Sequence, residues 1–459
     1  MEKTEKTREA SSDKLKIGSL LGYGLGDTGM LVGWTFLSSF ITYFMTNYVG
    51  IAAGIVGTVI LASRLMDAVS DVVVGSAVDR TKSRFGKARP WMLYGALPLT
   101  ICFALLYVVP DIGNTGKLLW FIIFYNLTVT VFYTAVNVPF NSLTPLMTRD
   151  PSSRVNCGVV RMLMGIFAAM AVSLLTMPMI NAMGGDKGAW RIWAVIIGIF
   201  MGICILLCFL FTKERYGEDP QAIKKEPLSL SKSYKSLLGN KYWVILTIAL
   251  ILTYALQGVL QGVNIYYFKY IIGDENLVGL ASMAQSLPML IMLFLTPLFA
   301  KKVSKVNLAR FSCVGGVLTA IIMLINPASL GIVIVKSVLQ GAFMAPFAAV
   351  NYAMIADVAD YGYWKSGVKC EGLVNSAASF GTKIGTGLGV GMVGWFLSFG
   401  GFNAELPSQP DSAIFVLKFM MIGIPIIFSL IQFVTLHFYK LDKEYPAILA
   451  EIEQREASK

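Results

Sequence analysis

The chain has 459 residues with a formal net charge of +11, of which 56% are hydrophobic and 14% charged, and its mean hydropathy is +0.66. A soluble domain carries about 25% charged residues, so a soluble fold is excluded, and the length suits about twelve membrane spans of about 20–25 residues joined by short loops. The basic excess is spread over short loops instead of one patch, which speaks against a nucleic-acid partner; one histidine, His437, and six scattered cysteines exclude a His-rich metal site and a disulfide framework.

Residues 1–18 open with MEKTEKTREASSDKLK, which mixes acids and bases and has no apolar core, and reads as a cytoplasmic tail. Apolar runs follow at 19–48, 52–78, 90–109, 118–145, 158–183 and 189–212, then at 242–271, 276–300, 307–325, 329–356, 371–400 and 411–439. The polar stretch 213–241 separates a first half, 19–212, from a second, 242–439, and 440–459 forms a C-terminal tail. Lys and Arg crowd both tails, the linker and the loops 79–89, 146–156, 301–310 and 365–369. The alternate loops are poorer in them, which places both termini in the cytoplasm and the protein in the inner or plasma membrane. The expected fold is an all-α membrane protein of about twelve transmembrane helices in two six-helix halves, the major facilitator architecture. One chain of that kind encloses a full cavity in the lipid bilayer, so a monomer is enough. Glycines recur in YGLGDTG of run one and FGTKIGTGLGVGMVG of run eleven. They fit close helix packing by small residues or a flexible, cavity-lining helix.

Run two holds the most informative residues. In AAGIVGTVILASRLMDAVSDVVVGSAV, Asp67 and Asp71 lie one helical turn apart near mid-run, just after Arg64. Acids at membrane depth are costly and normally face a bundle interior or a water-filled cavity. Two carboxylates this close want a shared proton, a bound cation or a basic partner, which is the chemistry of ion coupling. The structural alternative is a pair neutralised by Arg64 and Lys383. At the end of the run, Asp79, Arg80 and Arg84 read either as a gate of ion pairs or as plain positive-inside charge. Asp357 and Asp360, at the cytoplasmic end of run ten, read as partners of loop bases. Asp27, in run one, reads as a second gate or substrate residue. Trp34, Tyr125, Tyr133 and Trp395 are candidates for stacking on a sugar, with aromatic packing as the commoner explanation.

Gly22-Tyr23-Gly24-Leu25-Gly26-Asp27-Thr28-Gly29, then RLMDAVSD, VDRTKSRFGKARPWMLYGALP, YTAVNVPFNSLTP and IADVADYGYWKSGVKCEG, follow one another along nearly the whole chain. This set resembles the glycoside–pentoside–hexuronide:cation symporter family, whose best-known type is melibiose permease. The resemblance implies secondary active symport of a small-molecule glycoside with a cation, H⁺ or Na⁺, and no other cofactor. It places the cation site, Na⁺ included, at Asp67, Asp71, Thr134 and position 137, where the melibiose type has aspartate and this chain has Asn137. An amide still offers an oxygen, but the lost charge favours H⁺. The family's sugar-contacting acid on helix one aligns with Leu31, and a site aromatic aligns with Asn141. Arg161 and Lys383 match the family's basic substrate-site residues. Fewer acids beside the same bases would admit a neutral or an anionic glycoside.

Two rivals stand beside this reading. A membrane-embedded prenyltransferase would use aspartate motifs to hold Mg²⁺ on a pyrophosphate, but such motifs belong near one face of the bundle, whereas Asp67 lies about fifteen residues into its run, near mid-bilayer. The same fold with a lipid-like or aryl-glycoside cargo would exploit Leu31 and the apolar first helix.

Overall fold

The structure, a computed structural model, describes residues 15–216, 239–366, 371–406 and 408–457. Most of the expected N-terminal tail, the middle of the linker, Lys369 and Cys370 lie outside the described residues. Within them the chain is helical, with no strand. It divides into two compact units, Met1–Lys225 and Glu226–Lys459.

The first unit contains α1 (Ile17–Val49), α2 (Ala53–Arg80), α3 (Arg89–Tyr107), α4 (Asn114–Met147), α5 (Pro151–Ala182) and α6 (Lys187–Phe211). The second contains α7 (Lys241–Ile272), α8 (Glu275–Ala300), α9 (Lys305–Ile322), α10 (Leu330–Ser366), α11 (Glu371–Phe399), α12 (Asp411–His437) and α13 (Leu441–Ala457). Among the described residues, eleven helices are long and apolar enough to cross a bilayer. The 29-residue α11 also has the length.

Each unit is built to the same plan. In the first, α1 packs on α5 and α6, α3 on α4 and α6, and α2 on α4. In the second, α7 packs on α11 and α12, α9 on α10 and α12, and α8 on α10. The helix ends repeat as well. α1 closes with a π-helical turn, Met45–Val49, whose Met45 carbonyl accepts the N–H of Gly50; α7 closes with another, Phe268–Ile272, whose Phe268 carbonyl accepts the N–H of Gly273. Both glycines take left-handed φ values, 83° and 90°, which glycine adopts without the Cβ clash other residues meet.

The glycine-rich runs are packing surfaces. A Cβ on Gly29 of α1 would stand 2.8 Å from the Met201 carbonyl oxygen of α6. On Gly385 of α11 it would stand 2.6 Å from the Ile251 carbonyl oxygen of α7. Small residues let these backbones touch, and dispersion at close approach holds helices together where lipid removes the hydrophobic drive.

Helix starts carry side-chain caps. Asp150 accepts from Ser153 N–H at 2.9 Å at the start of α5, Asp186 from Ala189 N–H at 2.8 Å at α6, and Asn240 from Trp243 N–H at 3.1 Å at α7. The start of α3 is capped from a distance. Glu214, just past α6 in what reads as linker, accepts from Lys87, Ala88 and Arg89 N–H at 2.7, 2.9 and 2.9 Å. A carboxylate on a helix N-terminus satisfies orphan donors and meets the favourable end of the helix dipole. Glu214→Ala is therefore expected to remove about 1–2 kcal/mol of stability, read as a lowered melting temperature of the purified protein; Glu214→Gln should recover part of it, and an unchanged melting temperature for Glu214→Ala would refute the cap.

α5 begins at Pro151, before the expected start at 158, and two boundaries nearer the C-terminus differ as well. α10 runs on to Ser366 instead of ending at 356, and the expected C-terminal tail contains helix α13. The two facts share a cause. The α13 residues Tyr445 and Glu451 take up polar groups of the α10 extension: Tyr445 Oη donates to Asp360 at 2.6 Å, and Trp364 Nε1 donates to Glu451 at 2.7 Å. Asp442 accepts from Val306 N–H at 2.8 Å at the start of α9.

Candidate functional site

The centre of the first unit is Asp67. It is 3% exposed on α2, and Thr134 of α4 donates to its Oδ1 at 2.6 Å. The short distance marks a charge-assisted hydrogen bond. Thr134 is presented by an irregular helix: the π-helical stretch Leu127–Tyr133 ends immediately before it. Such bulges re-aim side chains and concentrate at functional sites.

Arg64, also 3% exposed, stands 3.8 Å from Asp67 Oδ2. That is long for a hydrogen-bonded ion pair. Its guanidinium lies instead over the Trp34 ring of α1, 4.1 Å from the centroid, and its Nε and Nη1 make no hydrogen bond among the described residues. The Trp34 and Tyr133 rings are 5.3 Å apart, and Tyr125, 1% exposed, is beside the guanidinium. The base is thus held by an aromatic face close to the carboxylate without being locked to it. Asp71 is half-buried one turn further along α2. On α4, Asn141 Nδ2 donates to Asn137 Oδ1 at 3.2 Å, so the two amides occupy each other.

A second charged pair joins α1 to α5. Arg161 Nε of α5 donates to Asp27 at 2.8 Å, with its guanidinium over the Phe140 ring at 5.0 Å and Phe140 stacked on Tyr23 at 4.8 Å. Leu31 and Asp27 lie on one face of α1, since a Cβ on Gly165 of α5 would meet both Leu31 and, at 3.0 Å, Asp27 Oδ2. Arg161 has a carboxylate partner in Asp27.

The other predicted residues are placed as follows. Lys383 is half-buried on α11 in the second unit. Asp79 and Arg80 are exposed at the end of α2, and Arg84 is exposed with its guanidinium 4.7 Å from the Phe85 ring centroid. Asp357 pairs with Lys305 at the start of α9, a base of the 301–310 loop region, whereas Asp360 takes the Tyr445 hydroxyl and not a loop base. Sequence reasoning missed the Trp34–Arg64 contact and Glu214. A lone tryptophan in an apolar run gives no sign of what it covers, and Glu214 sits in a polar stretch far along the chain from its partners.

The family MFS/sugar transport protein matches residues 22–443. The chain belongs to that family. It is 30% identical to the isoprimeverose transporter of Lactiplantibacillus pentosus over 95% of this chain and 91% of that protein. It is 29% identical to the inner membrane symporter YicJ of Escherichia coli, covering 92% and 91%. In fold it resembles a bacterial homologue of the human lysosomal transporter Spinster, with a TM-score of 0.71 at 14% identity over 95% of this chain and 99% of that one. The chain is a multi-pass membrane protein of a transporter family, which disfavours the prenyltransferase alternative.

Proposed function

We propose that this protein is a secondary active symporter that moves a neutral glycoside together with a proton across the inner or plasma membrane, as a monomer with both termini in the cytoplasm. Asp67 carries the reading: it is a buried acid bonded by Thr134 at 2.6 Å, with Arg64 nearby but engaged by Trp34. A buried acid at membrane depth changes the charge of the site when it takes up or releases a cation, which is what coupling requires. Asp71, one turn away, is the second carboxylate of the site. The proton is preferred because it needs one acceptor oxygen, whereas an alkali ion needs several, and an amide at position 137, already accepting from Asn141 at 3.2 Å, brings no negative charge. The neutral glycoside is preferred because Asp27 balances Arg161. Lys383 and Asn141 complete the proposed substrate set, and Asp79, Arg80, Arg84, Asp357 and Asp360 the proposed gates. Coupling is reciprocal: ion and sugar raise each other's affinity by the same factor.

The test is the external pH of de-energised cells in unbuffered, Na⁺-free medium after pulses of isoprimeverose, other xylosides, galactosides, glucosides and glucuronides. A transient alkalinisation with a neutral glycoside, lost in Asp67→Asn, is the expected result. Uptake only when Na⁺ is added would overturn the proton, and a response to glucuronides alone would overturn the neutral cargo.

A further inference from the structure

The second unit has a buried charge of its own. A cavity of about 280 Å³ lies among α7, α8, α9, α10 and α12. Lys336 of α10 lines it and is 5% exposed. None of the twenty lining residues is Asp or Glu, and among the described residues Lys336 has no ion-pair or hydrogen-bond partner. An ammonium withdrawn from water without a counter-charge is strongly disfavoured.

The surrounding groups include glutamine and asparagine amides whose hydrogen-bonding capacity is largely unused, whereas the hydroxyls of Thr253, Ser312 and Thr319 donate to backbone carbonyls of their own helices. Among the described residues, Gln285 Nε2 and Gln340 Nε2 have only the Met344 thioether as acceptor, at 3.6 and 3.8 Å, and sulfur is a weak acceptor. Gln340 Oε1 and Asn351 Oδ1 are buried without a hydrogen-bond partner. Rotation about the last torsion of either amide would present its NH₂ to the cavity instead. A cation and several donors around a space without carboxylates form the complement of an anion. Where the α2–α4 pair of the first unit carries an acid bonded by a hydroxyl, the α8–α10 pair of the second carries a base surrounded by amides.

We propose that this cavity binds a small monovalent anion, either chloride or the carboxylate of a small organic acid, with Lys336 as the counter-charge and Gln285 and Gln340 as donors. The site is separate from Asp67 and does not depend on which ion or sugar the protein carries.

The test is the melting temperature of the purified full chain, titrated with NaCl or sodium acetate against sodium HEPES at constant ionic strength. A saturable rise with either salt is expected, and the responding salt identifies the source of the negative charge. Lys336→Met should abolish the rise, Lys336→Arg should keep it, and Gln340→Leu should move half-saturation about tenfold upward, as for one lost hydrogen bond. Asp67→Asn should titrate like the parent, which separates this site from the coupling site. A parent protein indifferent to both anions, or a Lys336→Met variant that responds as the parent does, would overturn the proposal; in the first case Lys336→Met should simply be more stable than the parent.

Discussion

Asp67→Asn is expected to abolish uphill accumulation of sugar, lowering gradient-driven uptake by about a hundredfold or more, while sugar exchange down a gradient persists. The amide keeps the shape and can still accept from Thr134, but it carries no charge for an incoming cation to neutralise. About 3 kcal/mol of lost ion affinity corresponds to that factor. Thr134→Val makes a finer probe. It removes a charge-assisted hydrogen bond of 2.6 Å, worth about 1.5–3 kcal/mol, or about ten- to a hundredfold in ion affinity. The sign separates the two ions: a carboxylate stripped of a donor holds a proton more tightly, whereas a Na⁺ site that loses a hydroxyl ligand holds its ion more loosely. Uptake measured against pH and against Na⁺ in the two variants reads both effects. Undiminished accumulation by Asp67→Asn would remove this acid from the coupling machinery.

Gly389→Leu is expected to prevent the second unit from assembling. A Cβ on Gly389 would collide with the Ala255 carbonyl oxygen of α7 and would stand 2.9 Å from both the Ala255 carbonyl carbon and the Val259 nitrogen. These are backbone atoms, so no side chain can turn away, and relief requires α7 and α11 to separate. Gly258, on α7, meets the same seam from the other side, 2.7 Å from the Thr386 carbonyl oxygen. Overpacking usually costs about 1–3 kcal/mol; against backbone the upper end applies, which lowers the folded-to-unfolded ratio by about 150-fold. Monodisperse yield from detergent extracts, by size-exclusion chromatography, should collapse. Gly158→Ala is the control, because nothing lies within 4 Å of a Cβ there. Equal yields for Gly389→Leu and the control would show that this contact does not limit assembly.

The helices and the buried acid Asp67 were legible because both depend on local composition. An apolar run of membrane length needs no knowledge of its neighbours, and Asp67 stands out against such a run by its cost alone. The same rule applied to LGIVIVKSVLQGAF would have marked Lys336 and Gln340. Contacts between distant positions were less legible. Glu214 bonds residues 87–89 from far along the chain, and nothing in its polar neighbourhood distinguishes it from solvated charge. Trp34 does pack against an aromatic ring, that of Tyr133, but its contact with Arg64 has no signature in the sequence. α13 was read as tail because its polar sequence lacks a membrane signal; its helix bonds to residues of α9 and α10. The pairing of Asp27 with Arg161 was out of reach for the same reason, since sequence positions do not show that Asp27 and Leu31 present one face to Gly165 of α5.

The wide turns that close α1 and α7 also bear on how the chain leaves those helices. In each, a left-handed glycine donates back five residues, Gly50 to Met45 and Gly273 to Phe268. Nothing lies within 4 Å of a Cβ at either glycine, so a side chain there would meet open space and would disturb the backbone turn alone, redirecting the loop that follows. The stretch Leu127–Tyr133 is of another kind: it lies inside α4, whereas α10 is α-helical throughout, and it comes directly before the threonine that bonds Asp67.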